Sequence, residues 1–142
     1  MITLDPKSVL KALKELHPLY RVGSNDYKQK RGLDCFDYLL VVADCDGFYL
    51  AYLDEEVYYN RVEITALGEG CYPVLPHLLR DICKASEGLV TLEDYRKGNS
   101  RWLSHTFNII ADGCTWTINT IDIEDMPPLH RISIPEVCYI GG

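Results

Sequence analysis

The apolar positions of this chain change their period several times, and each change marks an element. Val9, Leu10, Leu13 and Leu16 recur at helical spacing, with Lys7, Lys11 and Lys14 on the opposite side. Asp5-Pro6 opens that helix well, since aspartate accepts from free N–H groups and proline loses no bond at the first helical position. Pro18 disfavours helical geometry at His17 and ends the run. Residues 21–32 are polar and basic without period, which is the pattern of a loop. Residues 36–43 are rich in apolar and β-branched side chains, Asp46-Gly47 supplies a turn, and 48–53 return. A two-residue turn there pairs Ala43 with Leu50 and Val41 with Tyr52 on one face, and Val42 with Ala51 and Leu40 with Leu53 on the other. Both faces are apolar, so this hairpin is expected at the centre of a sheet covered on both sides. A third strand over 57–67 places Tyr58, Val62, Ile64 and Ala66 on one face and Tyr59, Arg61, Glu63 and Thr65 on the other.

Gly68-Glu69-Gly70 breaks that strand. Pro73 or Pro76 opens a second helix, whose stripe is Val74, Leu75, Leu78, Leu79 and Ile82 and whose stop is Gly88. A short strand over 89–92 and a polar loop over 93–100 follow. Asp112-Gly113 then joins 101–111 to 114–123 in a second hairpin. Its two-residue turn pairs Ala111 with Cys114, Ile109 with Trp116, Phe107 with Ile118 and His105 with Thr120. The other face pairs Ile110 with Thr115, Asn108 with Thr117, Thr106 with Asn119 and Ser104 with Ile121. A slip of one residue would exchange an apolar face for a polar one, so the pattern specifies the register. A last strand is expected over 129–134. The expected fold is α+β, a predominantly antiparallel sheet in the order α-βββ-α-(β)βββ with the helices packed on it, and 1–142 as a single domain. The order admits two αβββ halves joined at 68–70, although only their D-G turns repeat.

With 47% hydrophobic and 25% charged residues, the chain can bury a core without disulfides. Six scattered cysteines without a C-x-x-C pair read as free thiols, and no zinc, other metal or cofactor is expected. The apolar run over 38–43 is far short of the ~20 residues that cross a bilayer, and the N-terminus lacks the pattern of a secretory signal. These features predict a cytoplasmic protein with no membrane partner. Net charge is -7, and it is uneven. Residues 1–33 carry seven basic and three acidic groups, whereas the remainder is strongly acidic. An acidic body repels phosphates, so direct nucleic-acid binding is not expected, while a protein partner with a basic surface suits it.

The sharpest catalytic candidate is Cys71, between a glycine turn and a helix start, where the local field would favour a thiolate. His105, with Asn108 or Asn119, completes a cysteine-enzyme set if the fold brings them together. The plainer readings are a small residue at a tight turn and a buried, bonded imidazole. Asp44-Cys45-Asp46-Gly47 lacks the remaining ligands of a calcium loop, and Asp122-Ile123-Glu124-Asp125 has no supporting lysine or histidine. Both are better explained as turns and strand ends. No phosphate-cradling or serine-hydrolase motif occurs.

Tyrosine is the most suggestive compositional feature, with ten against three phenylalanines. Tyr49, Tyr52, Tyr58 and Tyr59 flank Asp54, Glu55 and Glu56, a combination that suits contact with a basic protein groove. The competing reading places these rings in the core. The leading expectation is a small acidic protein-binding module, of the type by which phages or mobile elements inhibit nucleic-acid-handling or defence proteins. The alternatives are a cysteine enzyme built on Cys71 and His105, and a protein holding a nucleotide or other small ligand near Trp102 or Trp116.

Overall fold

The computed structural model describes residues 1–16, 35–53, 58–97 and 101–129, the side chains of 96–97 and 101–105 excepted. A short strand, β1 (Ile2–Leu4), precedes the first helix, α1 (Pro6–Leu16). The Asp5 carboxylate accepts the Lys7 N–H at 3.3 Å, the role expected of a capping residue. A 3-10 turn at Cys35–Asp37 leads into β2 (Leu39–Asp44), β3 (Gly47–Leu53), β4 (Tyr59–Glu63) and β5 (Ala66–Gly68). Then come β6 (Gly70–Val74), α2 (Pro76–Ala85), β7 (Val90–Lys97), β8 (Arg101–Ala111) and β9 (Cys114–Asn119), with a final 3-10 turn at Ile123–Asp125. The fold is α+β and antiparallel, as expected. Its strands form two sheets, however, in the orders β5-β1-β7-β8-β9 and β4-β3-β2-β6.

These orders expose a repeat that residue identities conceal. Each half contains a strand, a helix and three strands, the first half adding β5, and each first strand pairs in the other half's sheet: β1 beside β7, and β6 beside β2. An offset of 70 positions relates Ile2 to Tyr72, Leu4 to Val74, Pro6 to Pro76, Val9 to Leu79, Ala12 to Ile82 and Leu13 to Cys83. All twelve are buried. The ladders carry the correspondence onward, since Leu39 and Val41 oppose Val74 and Tyr72 as Val90 and Leu92 oppose Leu4 and Ile2. One apolar cluster gathers the inner faces of both sheets and both helices. A second cluster, including Leu40, Val42, Ala51 and Met126, covers the other face of the four-stranded sheet. The first hairpin is therefore apolar on both sides for the reason its sequence implied.

The second hairpin keeps its expected register from Ala111↔Cys114 to Thr106↔Asn119. Asp112 (φ 50°) and Gly113 (φ 80°) both adopt the left-handed geometry that a two-residue turn requires. The ladder stops there, without the pairs expected of His105 and Ser104. The first hairpin turns one residue early, across Cys45-Asp46, so that Ala43 faces Phe48 and Val41 faces Leu50. The Asp44 carboxylate accepts the Asp46 N–H at 2.8 Å and fixes the bend ahead of the glycine. The partner shifts by two residues, and each face keeps its side chains.

The single strand expected over 57–67 is two strands in different sheets. At the break, the Thr65 N–H donates to Ser8 Oγ and the Thr65 carbonyl accepts from the Asp5 N–H, both at 3.0 Å. The start of α1 thus takes the place of a strand neighbour, while Val62, Ile64 and Ala66 still face the core. β7 continues through 93–97, where a loop was expected, with a register shift between Asp94 and Arg96. The loop over 21–32 lies outside the described residues, as does the last expected strand beyond Leu129.

Gly68 (φ +114°) holds β5 against the N-terminus, and a Cβ there would lie 2.1 Å from the Met1 carbonyl oxygen. Gly68→Ala is expected to cost on the order of 2 kcal/mol or more in chemical denaturation, from strain and backbone displacement together. Gly113→Ala, with open space around its Cβ, is expected to cost about 1 kcal/mol, from strain alone.

Candidate functional site

The two residues of the cysteine candidate lie on strands of different sheets. Cys71 lies within β6, opposite Val42, with the rest of that strand between it and the helix start at Pro76. Burial, reinforced by the Asp44 carboxylate, pushes its thiol up to about 12, the reverse of thiolate activation. His105 belongs to β8, in the other sheet, and its side chain is outside the described residues. Asn108 accepts from the Thr117 hydroxyl at 2.8 Å, and Asn119 accepts from that of Thr106 at 3.4 Å, so both amides serve the β8–β9 ladder.

The tyrosine contact surface needs the same correction. Tyr49, Tyr52 and Tyr59 are buried, and Tyr58, 46% exposed, is the one large exposed ring among them. Each buried phenol has an acceptor. Tyr49 donates to Asp44 at 3.1 Å, Tyr52 to the Phe36 carbonyl, and Tyr59 to the Pro127 carbonyl at 2.8 Å. Arg61 lies 3.9 Å above the Tyr49 ring and bonds Glu63 at 2.6 Å, closing the surface over it. Asp54, Glu55 and Glu56 lie outside the described residues. Asp122 accepts the Glu124 N–H at 3.0 Å, so it caps a 3-10 turn. Among the described residues, no three His, Cys, Asp or Glu side chains converge as a metal set, and no helix is long and apolar enough to cross a membrane.

A different feature concentrates charge. α1 and α2 share a surface groove of about 470 Å³ with an apolar floor that includes Leu13 and Pro76. Lys11 and Lys14 line it from one helix, Arg80 and Lys84 from the other. The two helices hold five of the fourteen lysines and arginines but only two of the twenty-one acidic residues. Of those two acids, Asp81 neighbours Arg80 at 3.3 Å, an exposed contact. The same offset of 70 that aligns the core positions places Lys14 with Lys84 and Lys7 with His77. The cationic face is thus a property of the repeat. The first helix showed its basic side in sequence, but that a basic side of the second adjoins it follows only from the exchanged strands.

Cys45 and Cys114 are exposed, while Cys83, like Cys71, is held up to about 12 by burial. Iodoacetamide at neutral pH is expected to label Cys45 and Cys114 first, with Cys71 and Cys83 slower by roughly a hundredfold or more, read by peptide mapping. The raised thiols also set an alkaline limit. The unfolded chain ionises them from about 9, whereas the fold holds their protons to about 12. Their contribution is intact below pH 9 and is lost as pH rises through that window, by up to about 1.4 kcal/mol per pH unit per thiol. Burial also raises Tyr49, Tyr59 and Tyr72. Denaturation midpoints measured between pH 8 and 11 should therefore fall progressively above 9.

No family model matches the sequence, and no curated protein matches it. Solved structures do resemble the fold. The DNA polymerase III β subunit of Pseudomonas aeruginosa superposes with a TM-score of 0.59 at 19% identity, over 90% of this chain and 32% of that one. The DnaN sliding clamp of Bartonella birtlesii, solved with griselimycin, gives 0.60 at 16% identity, over 94% and 32%. The β sliding clamp of C. crescentus gives 0.61 at 14%, over 89% and 31%. This chain therefore has the fold of a sliding-clamp segment and spans about a third of the length of those clamp chains.

Proposed function

We propose that this chain is a non-enzymatic module of DNA handling in the cytoplasm, which lays its helix pair on the phosphate backbone of duplex DNA and offers its acidic remainder to a basic protein partner. The observation that carries this reading is the segregation of charge: four cations line one groove in a chain of net charge -7. Net charge argued against nucleic acid, but it is an average over the molecule. A phosphate responds to the potential where it lies, within about one Debye length of ~10 Å. The likeness to sliding clamps of DNA polymerase III supports the same assignment. Burial raises the Cys71 thiol, which supports a scaffold over a cysteine enzyme. The net acidity of the chain outside the helices suits a partner's basic surface, which retains the antagonist role within this reading.

Fluorescence anisotropy with a labelled duplex at several salt concentrations tests the proposal. With four phosphate contacts, the logarithm of the binding constant should fall against the logarithm of salt with a slope of about -3 to -4. Lys14→Gln and Lys84→Gln should each reduce the magnitude of that slope by about 1, with little dependence on sequence. Absence of binding at low salt, or binding that both substitutions leave unchanged, would overturn the DNA contact. Retention on a basic protein in that case would leave the acidic-antagonist role standing by itself.

A further inference from the structure

The four edges of the two sheets differ in whether another strand can join them. β4 carries Arg61 and Glu63 along its length. β5 is three residues long and ends at Gly68, whose positive φ turns the chain away. β6 contains Pro73, which has no N–H, and the Pro73 carbonyl already accepts from the Thr120 hydroxyl at 2.7 Å. Charge, shortness and proline are the usual means of blocking strand addition. β9 has none of them. Its six residues, Cys-Thr-Trp-Thr-Ile-Asn, are uncharged, and no charged residue occurs anywhere in 114–121. Cys114 and Ala111 close the hairpin, so alternation along the ladder turns the N–H and C=O groups of Thr115, Thr117 and Asn119 outward.

The repeat sets this strand against a counterpart that is better covered among the described residues. Trp116 lies opposite Ile109 as Val62 lies opposite Leu50, and these are corresponding positions. Val62 packs against the core, where α1 meets β4, and its neighbour Ile64 is 9% exposed. Trp116 is 41% exposed.

We propose that β9 pairs with β9 of a second copy of this chain, antiparallel about a two-fold axis through the sheet. An uncharged edge offers no counter-charge to a charged guest strand, whereas an identical edge meets it without repulsion. Three guarded edges leave β9 as its own best complement among the described strands. Antiparallel pairing about such an axis keeps each face on its own side. The register with Trp116 opposite its mate sets Thr115 opposite the mate's Thr117, a pair that exchanges backbone bonds across the axis. The joined sheet has ten strands, and both helix pairs lie on the same side of it. The dimer does not depend on the DNA reading and is tested without nucleic acid.

Sedimentation velocity of the full chain at high micromolar concentration should give twice the 16.2 kDa chain mass. Added salt should strengthen the dimer, because each copy carries -7. Thr115→Pro, which removes an outward N–H, and Trp116→Glu, which sets like charges across the axis, should each sediment at the chain mass with unchanged circular dichroism. Trp116→Phe should remain dimeric. A wild-type chain that stays monomeric, a dimer that survives both disrupting substitutions, or a mass that grows beyond two copies would each overturn the two-fold β9 pairing.

Discussion

The ladders that join Leu4 to Val90 and Leu39 to Val74 are the constraint on which the remaining structure rests. Each connects a strand of one half to the sheet of the other. Without β1, the five-stranded sheet would be split between β5 and β7; without β6, β2 would be left as an edge. Neither half can bury its apolar face from its own strands alone. The two helices, each anchored by a proline just after its exchanged strand, are brought side by side as a consequence.

Surface chemistry follows from that arrangement. Because apolar positions in both helices recur at one offset and turn inward together, their basic positions turn outward together. The groove therefore acquires cations from two segments far apart in sequence, although the chain as a whole is acidic. Elsewhere, polar atoms that might have signalled a site are consumed in holding the fold. The phenols of Tyr49, Tyr52 and Tyr59 are bonded within it, and Asp44 serves both a turn and a phenol.

The elements were legible wherever the determining forces are local. The helical stripe after Asp5-Pro6 and the register around Asp112-Gly113 depend on neighbours a few residues away, and both stand as read. The early turn at Cys45-Asp46 reflects a competition between an aspartate and a glycine for the same bend, which sequence alone does not rank. Partition of 57–67 into two sheets depends on Ser8 and Asp5, residues about sixty positions distant that capture Thr65. Tyrosine misled because the same ring suits a wet interface or a core with one nearby acceptor. The acceptor for Tyr59 is Pro127, which no local pattern connects to it. Proximity to a helix start also proved a poor guide to Cys71, whose surroundings are set by the sheet.

The exchange of first strands has a consequence for the order in which this protein can be made. As the chain leaves the ribosome, β2 and β3 can close at once, because a short turn joins them. β1 emerges before them and must wait for β5 and then β7, its partners about sixty and ninety positions further along the chain. Closure over so long an intervening stretch carries a large entropic barrier, and such topologies fold slowly. Until both have formed, Ile2 and Leu4 lack the strands that flank them, the period in which chaperone contact would matter most.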